Sequence, residues 1–235
     1  MSKGRYDDRT LSAIVTGIAD VTAYIRVVTL RSVPALSFLP GQYVRLGFEG
    51  CAPRLYSIAA MPGQDEFSVH VKKGAGAVSR HIFEHLQAGD IVDILEVGGM
   101  SVVDTANHTP LLMIAGGTGV VPHKTVIDFL LAGDNPPPIT LYWGTADEQG
   151  QYLAADLQDL ARRYPAFRFC PVIGTPVGTY ALDHERTDDL KAARIYVAGP
   201  PPMVAATVTS LIEKGADKTK ICFDHHPQLA SLGLS

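Results

Sequence analysis

Residues Leu111-Leu112-Met113-Ile114-Ala115-Gly116-Gly117-Thr118-Gly119-Val120-Val121-Pro122 run from an unbroken apolar stretch straight into glycines, then into a second apolar stretch that contains a proline. A short apolar run without alternation reads as a strand buried on both faces, as in a parallel sheet. The glycines permit a tight turn and a close backbone approach to a ligand. Pro122 suits the first turn of a helix, where a missing N–H costs little. A helix start offers unpaired N–H groups and the positive end of the helix dipole, which suit a pyrophosphate. Proline stands where a third glycine would complete the dinucleotide fingerprint, so alone the stretch reads equally as a phosphate cradle or as a plain strand-to-helix turn.

Downstream the same grammar repeats. Ile139–Trp143, Arg168–Ile173, Arg194–Ala198 and Lys220–Phe223 read as further buried strands, and Val120–Leu131, Ala154–Tyr164 and Pro202–Lys214 as helices. Alternating strands and helices predict a doubly wound, five-stranded parallel sheet. Upstream the segments are shorter and punctuated by Gly and Pro: Leu11–Ile18, Thr22–Leu30, Gln42–Phe48, Leu55–Ala59, Glu66–Lys72 and Asp90–Leu95. Many short strands at this spacing predict a six-stranded β-barrel. A short helix is expected over Arg80–Leu86, with Ser79 as its N-cap. The change of pattern divides the chain into residues 1–103 and 104–235.

Composition removes several function classes. The 235 residues carry a formal net charge of −4, with 46% hydrophobic and 19% charged residues. No basic excess points to nucleic acid, and no apolar run reaches the roughly 18–20 residues of a membrane span. The N-terminus, MSKGRYDDRT, lacks the apolar core of a signal peptide. Cys51, Cys170 and Cys222 are too few and too scattered for a cysteine-ligated iron–sulfur cluster or a disulfide framework, and fit a reducing cytoplasm.

Three further segments are candidates for chemistry. Val197-Ala198-Gly199-Pro200-Pro201-Pro202-Met203 closes a predicted parallel strand at its carboxyl end, where ligands bind in open α/β sheets. Arg54-Leu55-Tyr56-Ser57 combines a cation able to grip a phosphate with an aromatic able to lie on a ring. Alternation places Arg54 and Tyr56 on one face and Ser57 on the other. Lys72-Lys73-Gly74-Ala75-Gly76-Ala77-Val78-Ser79 is a second glycine turn entering a helix. His81-Ile82-Phe83-Glu84-His85 matches a zinc-peptidase pattern but lacks a third ligand, so a solvent-facing histidine pair is the better reading. His225-His226 reads as a solvated tail, and neither Ser101 nor Ser210 sits in a nucleophile elbow.

In order and spacing these segments resemble the ferredoxin–NADP reductase superfamily. Arg54-Leu55-Tyr56-Ser57 is similar to its Arg-x-Tyr-Ser flavin motif, and Gly74 to Ser79 to its second flavin motif. Gly116 to Pro122 is similar to its Gly-Gly-Thr-Gly-x-x-Pro loop, and Gly199 to Met203 to its Cys-Gly-Pro-x-x-Met loop. The resemblance implies a Greek-key FAD-binding barrel (residues 1–103) followed by an NAD(P)H-binding α/β domain (residues 104–235). It implies that Arg54 binds flavin phosphates, that Tyr56 stacks on the isoalloxazine, that Ser57 hydrogen-bonds near its N5, and that Leu55 between them is also cofactor-binding. It implies that His70, Val71 and Lys72 line the ribityl chain, largely through backbone, and that Gly76, Val78 and Ser79 hold the pyrophosphate. Gly117, Thr118 and Gly119 then meet the dinucleotide, and Gly199, Pro200 and Met203 flank the nicotinamide. The family cysteine before Gly-Pro is Ala198 here. Phe223 and Asp224 are the only local candidates for a group covering the flavin.

Ala146-Asp147-Glu148 after the second parallel strand places carboxylates where an NADPH enzyme needs a cation, which favours NADH. Hydride is expected to pass from NADH to FAD, and electrons singly to a separate [2Fe–2S] ferredoxin, with Lys72, Lys73 and Arg80 available for docking an acidic partner. The alternatives are a free-flavin reductase, and a non-catalytic flavin-binding relay or redox-sensing subunit.

Overall fold

The computed structural model describes residues 11–99, 103 and 108–223. The division at 103/104, Ser101, Asp224 and His225-His226 touch or lie outside those residues. The first half holds β1 (Leu11–Thr22), β2 (Ile25–Ser32), β3 (Tyr43–Gly47), β4 (Arg54–Ser57), β5 (Glu66–Lys72), α1 (Ala77–Glu84) and β6 (Ile91–Gly98). These strands form a six-stranded sheet in the order β4-β3-β6-β1-β2-β5, paired antiparallel throughout. The expected alternation is clearest in β5, where Phe67, Val69 and Val71 point into the core and Ser68, His70 and Lys72 point out. The sheet curls until its two edges meet. After Ser57 the chain leaves β3, and Ala59 and Ser68 exchange backbone hydrogen bonds of 2.8 and 3.2 Å. That departure is why β4 ends two residues before the expected Ala59.

The second half holds β7 (Leu111–Gly116), α2 (Val120–Leu131), β8 (Ile139–Thr145), α3 (Ala154–Arg163), β9 (Phe167–Ile173), α4 (Val177–His184), α5 (Thr187–Ala192), β10 (Arg194–Ala198), α6 (Pro201–Glu213) and β11 (Ile221–Cys222). All strands run parallel, in the order β11-β10-β7-β8-β9. The helices cover both faces. Val121, Ile127 and Leu157 join one apolar core, and Val177, Leu182, Val204 and Val208 join the other. β7 is buried at every position, as its unbroken apolar run requires.

Two expectations need correction. The first helix starts at Ala77 with Gly76 as its N-cap, so Ser79 lies inside the first turn; its Oγ instead accepts a 2.8 Å bond from the Gly74 N–H. Helices α4 and α5 were not expected at all. No helix among the described residues is long and apolar enough to cross a membrane.

Candidate functional site

Strand order locates the site. β8 lies on one side of β7 and β10 on the other, so the chain reverses direction across the sheet between β7 and β10. A crevice opens at the carboxyl ends of strands at such a switch point. Here the loop after β7 (Gly116 to Gly119) and the loop after β10 (Gly199, Pro200) lie against each other. A Cβ on Gly119 would sit 2.4 Å from the Ala198 carbonyl oxygen and 2.7 Å from the Gly199 nitrogen. The contact is backbone on backbone, and only glycine permits it. Gly117 adopts φ +55° and its Cβ direction is empty to 4 Å. Its carbonyl accepts a 2.8 Å bond from Nε1 of the fully buried Trp143 on β8.

The barrel supplies the opposite wall. A cleft of about 450 Å³ is lined by Leu55, Tyr56, Ser57, His70 and Lys72 from the barrel, facing Gly117, Thr118, Gly119, Gly199 and Pro200. Tyr43 and Ala198 line it too. Successive residues of β4 line the cleft together, contrary to the alternation expected. β4 is the terminal strand in the sheet order, and its Leu55, Tyr56 and Ser57 all border the cleft. Tyr56 packs edge-on to Phe48 with ring centroids 6.5 Å apart. Burial pushes its phenol up to about 12 against the opposing pull of Arg54, so it stays neutral.

β5 divides its residues by hydrogen bonding. Lys73 N–H donates to the Tyr24 carbonyl, and the register pairs Arg26 with Val71. Antiparallel pairs alternate between bonded and non-bonded. The backbone groups of Val71 therefore face β2, while those of His70 and Lys72 face the cleft side. With its side chain in the core as well, Val71 builds the barrel wall and does not line the cleft as expected. His70 Nδ1 lies 2.7 Å from the Tyr152 hydroxyl across the interface, and burial lowers its pKa to about 4, leaving the imidazole neutral. Thr125 Oγ1 donates to the Ile58 carbonyl at 3.0 Å, a second buried link between the halves.

A second cleft, of about 680 Å³, shares Lys72, Gly116, Gly117, Thr118 and Pro200 with the first and continues over β8 to Thr145, Ala146 and Asp147; Met203 belongs to this one. Arg54, Gly76, Val78 and Ser79 line neither cleft. Gly76 caps α1 with open space where a Cβ would be, and Val78 is buried in the barrel core. The His81 and His85 rings lie tilted at 56° with centroids 6.1 Å apart, and among the described residues no three metal-ligating side chains converge.

A family model described as an oxidoreductase NAD-binding domain matches residues 113–209. The reductase component of a naphthalene 1,2-dioxygenase system from Pseudomonas putida, named a ferredoxin–NAD(P)(+) reductase, is 30% identical over 210 residues, covering 86% of this chain and 64% of that protein. The solved cytochrome P450 reductase GcoB of Amycolatopsis superposes with a TM-score of 0.83 at 27% identity, covering 92% of this chain and 69% of that one. Most of the chain is thus similar to reductases of the ferredoxin–NAD(P) type, and residues 113–209 match the oxidoreductase NAD-binding domain. The aromatic O-demethylase reductase subunit of Amycolatopsis sp. is 31% identical over 215 residues. At 18% identity, a Neisseria gonorrhoeae ferredoxin NADP+ reductase solved with FAD and NADP shares the fold with a TM-score of 0.78. The chain spans a little under two thirds of the length of the curated relatives it matches, 64% and 63% of the first two.

The Trp143 bond fixes the glycine loop from beneath. Trp143→Phe removes the donor and leaves the Gly117 carbonyl without that partner. It is expected to lower the unfolding free energy by about 1–3 kcal/mol, read from the urea midpoint followed by circular dichroism. An unchanged midpoint would show that the loop does not depend on this bond.

Proposed function

We propose that this chain is a reductase that holds FAD, accepts hydride from NADH, and passes electrons singly to a separate [2Fe–2S] ferredoxin, in the manner of the oxygenase reductase components it resembles. One observation carries the reading: the Tyr56 strand of the barrel and both glycine loops of the parallel sheet converge on a single cleft. The cleft's volume lies within the range of small-molecule sites. The residues present fit both cofactors, because the cleft offers an aromatic face at Tyr56, a hydroxyl at Ser57 and an unfilled space above Gly117. In this reading residues 1–103 are the FAD-binding domain, residues 104–235 the NAD(P)H-binding domain, and the protein works in the cytoplasm, where its free cysteines stay reduced.

A bound flavin supplies the exchange between hydride and single-electron chemistry, which no side chain here can perform. The chain's own residues bind and orient. Tyr56 and Leu55 pack on the ring, and Ser57 offers a hydrogen bond near N5. His70 and Lys72 border the ribityl chain with side chains and free backbone edge. Arg54 holds phosphate, and Gly76, Val78 and Ser79 cradle the pyrophosphate at the start of α1. Gly117, Thr118, Gly119, Gly199, Pro200 and Met203 wall the nicotinamide side. Asp147 and Glu148 favour NADH over NADPH by accepting from a ribose hydroxyl and repelling a 2′-phosphate. Lys73 and Arg80, both exposed, suit an acidic ferredoxin.

The test is the visible spectrum of the purified protein after exhaustive desalting, before and after NADH. Retained flavin bands at roughly 370 and 450 nm that bleach with NADH are expected. A colourless protein that oxidises NADH only when free FMN or riboflavin is supplied would instead make it a free-flavin reductase, and bleaching with no electron transfer to any one-electron acceptor would remove the ferredoxin step.

A further inference from the structure

We propose that Tyr24, in the turn between β1 and β2 of the barrel, is a positioning residue for nucleotide choice: its hydroxyl holds the Asp147 carboxylate across the interface so that Asp147 meets the adenosine ribose diol and turns away a 2′-phosphate. The inference rests on the NADH reading above and extends it to a residue outside the nucleotide-binding half.

Asp147 follows β8 and lines the larger cleft, as does Tyr24. The Tyr24 hydroxyl donates to Asp147 Oδ1 at 2.7 Å, and the Gly150 N–H donates to the same oxygen at 2.9 Å. Both bonds land on Oδ1, so Oδ2 is the oxygen that can turn to the cleft. An ionised carboxylate accepts only, and a ribose diol offers hydroxyl donors. The backbone of the turn is fixed as well, since Thr145 Oγ1 donates to the Asp147 carbonyl at 2.7 Å. Tyr24 reaches this turn because residue 150 is glycine: a Cβ there would lie 2.8 Å from the Thr145 Cβ and 3.2 Å from the Tyr24 hydroxyl. On its other side the Tyr24 ring carries Lys72, whose Nζ is 5.9 Å from the ring centroid. An aspartate held only by its own turn would keep just the backbone N–H groups of Gly150 and Gln149 and could swing away from a 2′-phosphate. Tyr24 opposes that swing and keeps the carboxylate in place, and the repulsion then acts against the attraction of Lys72, which lines the same cleft. Discrimination of this kind comes from the unfavourable contact with the wrong ligand as much as from the favourable one.

Tyr24→Phe isolates the hydroxyl, because the ring under Lys72 remains. The readout is binding without redox chemistry: calorimetric titration of the full chain with ADP-ribose and with 2′-phospho-ADP-ribose. Wild type is expected to bind ADP-ribose at least about 10-fold more tightly, in line with one charge-assisted hydrogen bond gained or one repulsion avoided. Tyr24→Phe should shrink that ratio by roughly 3–10-fold, and Asp147→Asn should shrink it at least as far. If Tyr24→Phe weakens both ligands equally or changes neither, while Asp147→Asn still erases the preference, Tyr24 is only a strut and the proposal falls alone. If wild type prefers the phosphorylated ligand, or Asp147→Asn leaves the preference intact, the NADH reading falls and takes the Tyr24 proposal with it.

Discussion

Gly119→Ala is expected to slow flavin reduction by NADH about 100-fold. The added methyl would sit 2.4 Å from the Ala198 oxygen, 2.5 Å from the Ala198 carbon and 2.7 Å from the Gly199 nitrogen. Those atoms are backbone, at the end of a strand whose Ala198 is in register with Ala115 of β7, so no rotamer relieves the clash. One loop must move by about 1 Å to restore ordinary contact, and a displacement of that size at a reacting centre costs on the order of 100-fold. Gly117→Ala is the informative contrast. Its Cβ meets nothing within 4 Å, but φ is +55°, so its cost is conformational, about 1–2 kcal/mol, with the loop still seated. The measurement is anaerobic stopped-flow bleaching of the flavin on mixing with NADH, alongside flavin content and melting temperature. A Gly119→Ala rate within about threefold of wild type would show that the seating of the two loops does not set the hydride geometry.

The fold was legible wherever one residue pattern admits one environment. β7 and β10 are short, mostly apolar runs followed by glycine, and their length and flanking glycines favour a buried strand. β5 alternates without a break over Glu66–Lys72. The reading failed where tertiary contact overrides the local signal. Helix α4 carries Gly178 and Thr179 in its first turn, both poor helix formers. Yet a Cβ on Gly178 would lie 2.2 Å from the Thr207 Oγ1 of α6, so the glycine serves helix-to-helix packing. Ser79 looks like a cap by residue type, but the helix begins two residues earlier at Ala77, after Gly76.

The site divides the same way. Both glycine loops and the Tyr56 segment are contiguous motifs, and the structure brings them to one cleft. What stayed hidden are single side chains whose role exists only through a distant partner. Tyr24 meets Asp147, Tyr152 meets His70, and Trp143 meets Gly117. No local pattern marks a tyrosine as an interface residue. Val71 shows the opposite error: it sits between two cleft residues in sequence, but period-two geometry turns both its side chain and its backbone away. Conversely, the barrel's pairing register would have been enough to separate it from His70.

Acidification from pH 6.5 to about 4 is expected to destabilise the protein by several kcal/mol, through two histidines buried in neutral form. Burial lowers His123, 1% exposed, and His70 from 6.5 to about 4. In that window the unfolded chain binds protons that the folded chain refuses. Stability is therefore fully present above pH 6.5, falls as pH drops, and levels off below about 4. Each pH unit costs up to about 1.4 kcal/mol per histidine, so His123 alone contributes about 3 kcal/mol and His70, bordering the cleft, somewhat less. Total stabilities are of order 5–15 kcal/mol, so this is a large share. The exposed carboxylates with lowered pKa, Asp20, Asp147 and Asp217, lose their contribution only below their ordinary value of 3.8, outside the histidine window. Urea denaturation at intervals from pH 7.5 to 4.5 reads the slope directly, and His123→Gln should flatten it by about half; a flat wild-type profile would show that both imidazoles find water or protonate in place. The two sites also separate by location. Protonating His70 acts on the bond to Tyr152 that joins the halves, whereas protonating His123 acts within the parallel-sheet half. Trp143, the sole tryptophan, lies 5.6 Å from the Tyr152 ring. Its fluorescence should therefore change with the His70 titration before global unfolding sets in, and that early change should vanish in His70→Gln while the His123-dependent loss of stability remains.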